Sequence, residues 1–295
     1  MNTISTNFRL SHKIQDEGFT LSAASHCHLY LSLAQKSIRL AIVDLERNKF
    51  VALEDYELIT VFTAAQAAEQ LRLIATENPL LQEKGWHTVR VAVSNQHFTL
   101  VPETLYDPAH QQDYLRLHSN LNPLLDDVRS YSHSSLEAVN IFAIERVLRE
   151  TIEDLFPEHP LQFVHQTSSL VKSILHMAGR SIPRSMYVFV ERGLVTILVA
   201  DEQGLQFCNV FQYHSPEDFI YYIIFVMQEQ KMNPEQETIT VWGDITHDAS
   251  LFTILQKYIR QVKFGKKPQN IGYSYKFDDL FEHRYFELYS LHLCE

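Results

Sequence analysis

The sequence predicts an α/β protein of two duplicated lobes, with a small β-α-β-β insertion in the first. Three observations predict it. The stretch Tyr30–Phe50 returns at one constant shift, without a gap, as Tyr187–Phe207, with Tyr30 on Tyr187, Asp44 on Asp201 and Phe50 on Phe207. Each copy is followed by a capped helix and a further apolar strand. Between the copies lies material with no counterpart in the second. The identities are few, so the repeat rests on hydrophobic pattern and punctuation more than on letters.

In the first copy, residues Asn7 to Thr20 alternate weakly and read as a frayed arm or an edge strand. Strands follow at His28–Leu33, Ser37–Asp44 and Phe50–Leu58, with the polar run from Asp44 to Asn48 turning the last hairpin. Thr63 and Gln66 form a capping-box signature, because each side chain can satisfy an orphan N–H at a helix start. Apolar residues carry that helix to about Glu77, where Asn78-Pro79 stops it, and Val89–Val93 is the next strand.

The second copy repeats this grammar, with strands at Met186–Glu191, Leu194–Ala200 and Leu205–Phe211. Ser215-Pro216-Glu217-Asp218 supplies cap, first-turn proline and first-turn acids. The helix runs to about Lys231, Asn233-Pro234 stops it, and Thr238–Trp242 is a strand. Three antiparallel strands followed by helical crossovers extend a sheet in parallel.

Between the copies, Phe98–Pro102 reads as a strand and Pro108–His118 as a short helix. Asp126–Ser132 and Leu136–Ile144 form a hairpin around His133-Ser134-Ser135. A helix over Glu145–Leu155, a strand over Leu161–His165 and a helix over Ser168–Met177 complete the lobe. Residues 178–184 form the linker. The lobes are therefore residues 1–180, with the insertion at 97–144, and 181–295.

Composition narrows the function. A formal net charge of -11 argues against a nucleic-acid surface, which needs clustered Lys and Arg. The longest wholly apolar run, Phe219–Met227, is too short to span a bilayer, and the first residues lack a signal-peptide pattern. Cys27, Cys208 and Cys294 are odd in number and widely spaced, which fits a reducing cytoplasm.

Taken in this order, the elements resemble the actin-like ATPase superfamily, whose members duplicate a ribonuclease-H-like unit. The insertion at Phe98–Ile144 places the chain near the branch of the cell-division protein FtsA and the pilus-assembly protein PilM. It also resembles an uncharacterised bacterial family of this fold, a domain of unknown function, in the run Phe98–Tyr106.

The resemblance implies ATP held between the lobes by two phosphate loops, each with an Asp for the metal or the attacking water and a Gly for close backbone approach. Those Asp positions fall on Ser32 and Phe189, and the Gly positions on Ala34 and Glu191. ATP hydrolysis is therefore disfavoured, and neither a catalytic residue nor a metal ligand is assigned. If a nucleotide binds, the resemblance places it on Gln35, Lys36 and Ser37 of one lobe and Glu191, Arg192 and Gly193 of the other. Gly243 and Asp244 stand at the adenosine motif, where only one of the usual paired glycines is kept. ATP is the one cofactor the fold suggests. The expected role is a binding or assembly scaffold with a protein partner, with room for a peripheral membrane complex.

Other groupings carry less. His26 and His28 share a face if both lie on one strand, yet no third ligand is placed by spacing. His159, His165 and His176 are scattered. Asp126-Asp127 and Asp278-Asp279 read as solvated loop charges. The helix around Phe219–Met227 is apolar almost all round, so it is expected to be sandwiched between its sheet and the other lobe, with a partner-binding face as the alternative. The apolar C-terminal stretch Phe277–Cys294 is expected to pack on the body as a helix or return to the first lobe, with a partner surface as the alternative.

Overall fold

The computed structural model describes residues 6–178 and 183–294. Most of the expected linker, and the expected lobe boundary at 180/181, lie outside the described residues. The chain divides into two compact units, Met1–Ser168 with Gln269–Asp279 and Ser169–Pro268 with Leu280–Glu295. The division thus comes earlier than the sequence suggests, and a later segment rejoins the first unit.

The first unit contains β1 (Phe8–Gln15), β2 (Cys27–Ala34), β3 (Ser37–Asp44), β4 (Lys49–Leu58), α1 (Ala64–Glu77), α2 (Pro79–Gln82) and β5 (Thr88–Val93). Then come β6 (Phe98–Pro102), α3 (Gln111–Arg116), β7 (Asp126–His133), β8 (Ala138–Glu145), α4 (Arg146–Leu155) and β9 (Leu161–His165). The main sheet runs β1-β4-β3-β2-β5-β9. Pairing is antiparallel from β1 to β2 and parallel from β2 to β9. The arm at the start of the chain is an ordered edge strand.

One face of this sheet buries Leu29, Leu31, Leu40, Ile42, Val89 and Val91 against Leu71 and Ile74 of α1 and Ile152 of α4. Each such Leu or Ile contributes about 1.5–3 kcal/mol on burial. The capping box forms as read: Gln66 N–H donates to Thr63 Oγ1 and Thr63 N–H to Gln66 Oε1, both at 3.2 Å. The strands β6, β8 and β7 make a separate three-stranded sheet, with α3 on it, whose core includes Leu115, Val139 and Ile141. Asp127 is no loose loop charge, because it opens β7 and pairs with Arg146 at 3.1 Å and with Arg149.

α5 (Gln166–Ala178) crosses into the second unit. There follow β10 (Ser185–Glu191), β11 (Leu194–Asp201), β12 (Gly204–Gln212), α6 (Pro216–Glu229), β13 (Thr238–Gly243), α7 (Ser250–Tyr258) and β14 (Gln261–Phe264). The sheet order is β12-β11-β10-β13-β14. Its core joins Val188, Val195, Ile197 and Val241 to Phe219, Ile223 and Val226 of α6. The remaining side of α6 is open, with Tyr221 63% and Phe225 41% exposed, so this helix is not buried all round. Its apolar letters are spent partly on a surface.

The strand β15 (Gly272–Tyr273) pairs in parallel with Lys49 and Phe50 of β4. Lys276 and Tyr275 then reach Glu17, each at 2.9 Å. The last helix, α8 (Phe286–Ser290), is tied to α5 in the second unit, where Ser173 Oγ donates to Ser290 Oγ at 2.7 Å. The helix expected in the C-terminal stretch 277–294 forms as α8, whereas the strand that rejoins the first unit, β15, lies before that stretch. Among the described residues no helix is long and apolar enough to cross a membrane.

Candidate functional site

The first candidate loop is the turn from β2 to β3. Ala34 pairs with Ser37, so Gln35 and Lys36 form a two-residue turn, exposed on the surface. Neither has a positive φ, so the alternating-hand backbone that gathers N–H groups into an anion nest is not formed here. Leu58 N–H donates to Lys36 O at 2.9 Å. Ser32 is buried in the sheet, between Arg39 on β3 and Ala92 on β5. Ser37 is buried as well.

The second candidate loop turns from β10 to β11. Glu191 pairs with Leu194, and Arg192-Gly193 form the turn, with Gly193 at φ 90. The Gly193 carbonyl accepts from Tyr213 N–H at 3.0 Å, and Tyr213 Oη donates to Glu191 O at 2.8 Å. Burial raises the Tyr213 pKa, so this hydroxyl stays a donor. Phe189, at the metal-Asp position, is 2% exposed and belongs to the aromatic interior.

Gly243 lies beside this second turn. It is at φ 97, and a Cβ built there would stand 2.0 Å from the Val190 carbonyl oxygen. Only glycine lets the end of β13 come so close to β10. Asp244 N–H donates to Val190 O at 2.7 Å, and Gly243 N–H to His283 O at 2.8 Å. The Asp244 carboxylate faces Arg192 Nε at 3.8 Å and Arg284 Nε at 3.6 Å. His283 Nε2 donates to Ile245 O at 2.7 Å, and burial lowers the pKa of this imidazole. The structure therefore brings Glu191, Arg192, Gly193, Gly243 and Asp244 into one cluster of the second unit. Gln35, Lys36 and Ser37 form their own turn in the first.

Sequence reading missed His283 and Arg284, which join the cluster from about forty residues downstream of Gly243 without any local motif. It also missed a buried polar group in the first unit. His165 Nδ1 is 2.7 Å from Thr167 Oγ1 and its Nε2 is 3.1 Å from Asn95 O. Asn140 Nδ2 donates to Thr167 Oγ1 at 2.8 Å and to Ser168 Oγ at 2.9 Å, and His133 Nε2 lies 3.1 Å from Ser168 Oγ. Burial lowers the His165 pKa to about 3, so the ring is neutral. His26 and His28 do not share a strand face: His26 closes a short 3-10 helix opposite Glu46, and His28 on β2 stacks on Tyr30. Among the described residues no group of three His, Cys, Asp or Glu side chains is arranged to hold a metal ion.

Two duplicated sheets of this strand order, with their turns at matching ends, define the actin-like ATPase fold. A solved protein with an actin-like ATPase fold and unknown function from Bacteroides thetaiotaomicron aligns with a TM-score of 0.80 at 18% identity, covering 94% of this chain and 99% of that one. A chain of the PilM-PilN type IV pilus biogenesis complex aligns with a TM-score of 0.60 at 14% identity, covering 91% of this chain and 98% of that one. At these identities the likeness establishes the fold. No curated protein matches the sequence. Residues 16–262 match the family described as "Protein of unknown function (DUF3822)", and the chain belongs to that family.

Proposed function

We propose that this chain is a non-catalytic member of the actin-like fold that works by binding protein, as a scaffold or assembly factor, with degenerate phosphate loops. One observation carries the reading. Both loop positions are two-residue hairpin turns that lack an Asp for magnesium, and a carbonyl of each accepts from the end of the third strand, Lys36 O from Leu58 N–H and Gly193 O from Tyr213 N–H. Phosphoryl transfer needs metal-held carboxylates and free backbone N–H groups around the phosphates.

Asp244, a carboxylate beside the second turn, faces two guanidinium groups, which favours an ion-pair role over metal ligation. The need for Gly243 follows from the Val190 carbonyl alone, without a nucleotide. A relative of the same fold is found in a complex with PilN, which supports reading the fold as a protein-binding platform.

Isothermal titration calorimetry with ATP and magnesium tests this directly. The expected result is no magnesium-dependent binding in the micromolar range and no phosphate release. Magnesium-dependent binding together with phosphate release would overturn it, and would point to the alternative of a nucleotide-binding protein or slow ATPase with an altered site. In that case Gly193 and Arg192 are the first residues to change.

A further inference from the structure

The second unit carries its charges in two separate runs. From Leu194 to Gln230 there is no Lys or Arg, while Asp201, Glu202, Glu217, Asp218 and Glu229 are acidic. From Ala249 to Pro268 there is no Asp or Glu, while Lys257, Arg260, Lys263, Lys266 and Lys267 are basic. The whole chain has 25 Lys and Arg against 36 Asp and Glu, so the basic run goes against its overall composition.

The fold keeps the two runs apart. β12 and β14 are the end strands of the sheet β12-β11-β10-β13-β14, and four strand spacings put them about 19 Å apart. α6 lies toward β12, where Tyr222 stacks on Phe211 at 4.7 Å. α7 lies toward β14, where Phe252 stacks on Phe264 at 4.6 Å. Among the described residues, none of Glu217, Glu229, Lys257, Arg260, Lys263 and Lys266 takes part in an ion pair. Charges separated by more than the screening length of about 8 Å do not neutralise one another within one copy.

Each group sits with exposed rings. Glu217, Tyr221, Phe225 and Glu229 follow at four-residue spacing, so they form one stripe of α6, and all four are exposed. The Tyr221 and Phe225 rings stack at 6.2 Å between the two carboxylates, and no cation lies on this helix. On the other flank Lys257 Nζ stands 5.6 Å over the ring of Tyr258, which is 49% exposed at the end of α7. Arg260, Lys263 and Lys266 are exposed before, on and after β14. A stripe of acid, ring, ring, acid is complementary to a surface that sets cations around an apolar body. The β14 flank of this same chain is such a surface.

We propose that a second copy of this chain seats the β14 flank of its second unit, from Lys257 to Lys266, on the α6 stripe of the first. The contact is heterologous, so each copy keeps one half unused and further copies can add head to tail. The cations meet Glu217 and Glu229, and Tyr258 covers the stacked rings. Exposed ion pairs contribute little singly, so several acting together with ring burial set the affinity. The proposal rests on the protein-binding reading above and names the partner and both surfaces.

Sedimentation velocity of the full chain tests it. At about 50 mM salt the chain should associate in the micromolar range, and at about 500 mM at least tenfold more weakly, because the screening length falls to about 4 Å. Glu217→Lys/Glu229→Lys and Lys263→Glu/Lys266→Glu should each abolish association alone, since like charges then face each other. Mixed in equal amounts, the two variants should associate again, because each supplies the flank that the other's stripe or flank now requires. All four positions are exposed, and thermal melting checks that both variants stay folded.

A chain that stays monomeric at low salt and about 100 μM overturns the proposal. Association that either variant retains, or that mixing fails to restore, also overturns it. A Lys-rich helical peptide that binds the α6 stripe of a monomeric chain puts another protein there; that overturns the second-copy assignment and leaves the protein-binding reading intact. Conversely, ATP hydrolysis by a chain that still associates in this way removes the scaffold reading and keeps the contact.

Discussion

At matching places in the two repeats, the first unit buries charge and the second does not. Arg39 on β3 is 1% exposed and pairs with Asp55 on β4, which is 0% exposed, at 3.3 Å. In the second repeat Thr196 holds the place of Arg39, and it pairs with Val210 where Arg39 pairs with Asp55. Nearby, Glu54 accepts from Tyr56 Oη at 2.7 Å and pairs with Lys13; it faces Leu40, whereas Ile197, which holds the place of Leu40, faces Asn209. The strand grammar is common to both repeats, but the ion pair buried between the second and third strands, and the strand β1 beyond the third, belong to the first. A sheet face can hold an ion pair when both partners and a covering strand are present. The second repeat holds neutral groups at the matching places, Thr196, Val210 and Asn209.

The largest expected effect breaks this difference. Asp55→Ala leaves Arg39 buried without its carboxylate and should cost about 3–5 kcal/mol, whereas Thr196→Val at the matching site should cost about 1 kcal/mol. Urea unfolding can assign each loss to its unit, because the two tryptophans, Trp86 and Trp242, lie one in each. Variants with a single tryptophan report them separately.

Next comes Gly243→Ala, expected to destabilise the second unit by more than about 2 kcal/mol, through the positive φ and the overlap with Val190. Val93 holds the matching place on β5: it pairs with Leu33 as Gly243 pairs with Val190, and it shows no positive φ. If Gly243→Ala left the Trp242 transition unmoved, the close approach of β13 to β10 would be wrong.

A smaller, graded effect comes from acid. His165 has a folded pKa of about 3, below its ordinary value of 6.5. Its depressed pKa stabilises the folded chain above pH 6.5. That contribution is lost as pH falls from 6.5 toward 3, at about 1.4 kcal/mol per pH unit, because the unfolded chain takes up the proton first. The transition followed at Trp86 should shift accordingly, and His165→Phe should flatten that part of its pH dependence.

Much of the fold was legible locally. The edges of β3, β6 and β9 match the expected runs Ser37–Asp44, Phe98–Pro102 and Leu161–His165 closely, since alternation and turn residues encode a strand without help from elsewhere. The capping box at Thr63 and the Ser215 cap are short-range hydrogen bonds, so their letters suffice. β14 and β15 escaped notice because four- and two-residue strands are defined by their neighbours and not by their own pattern. The apolar run of α6 leaves Tyr221 and Phe225 exposed, because hydrophobicity alone does not say which side of a helix meets the core.

The sequence by itself determined the duplication, the order of the elements and the residues that stand at the two turns, Ser32 and Phe189 among them. All of these are written in residues at fixed or short spacing. Only the tertiary structure decided that Arg284 and His283 close around the Gly243 turn, that His165 sits in a polar pocket with Asn140 and Thr167, and that β4 takes β1 and β15 on its outer side. Those pairings join residues that lie tens to hundreds of positions apart. No periodicity carries them, because they arise when whole elements pack and the chain must satisfy every buried polar group and edge it has created.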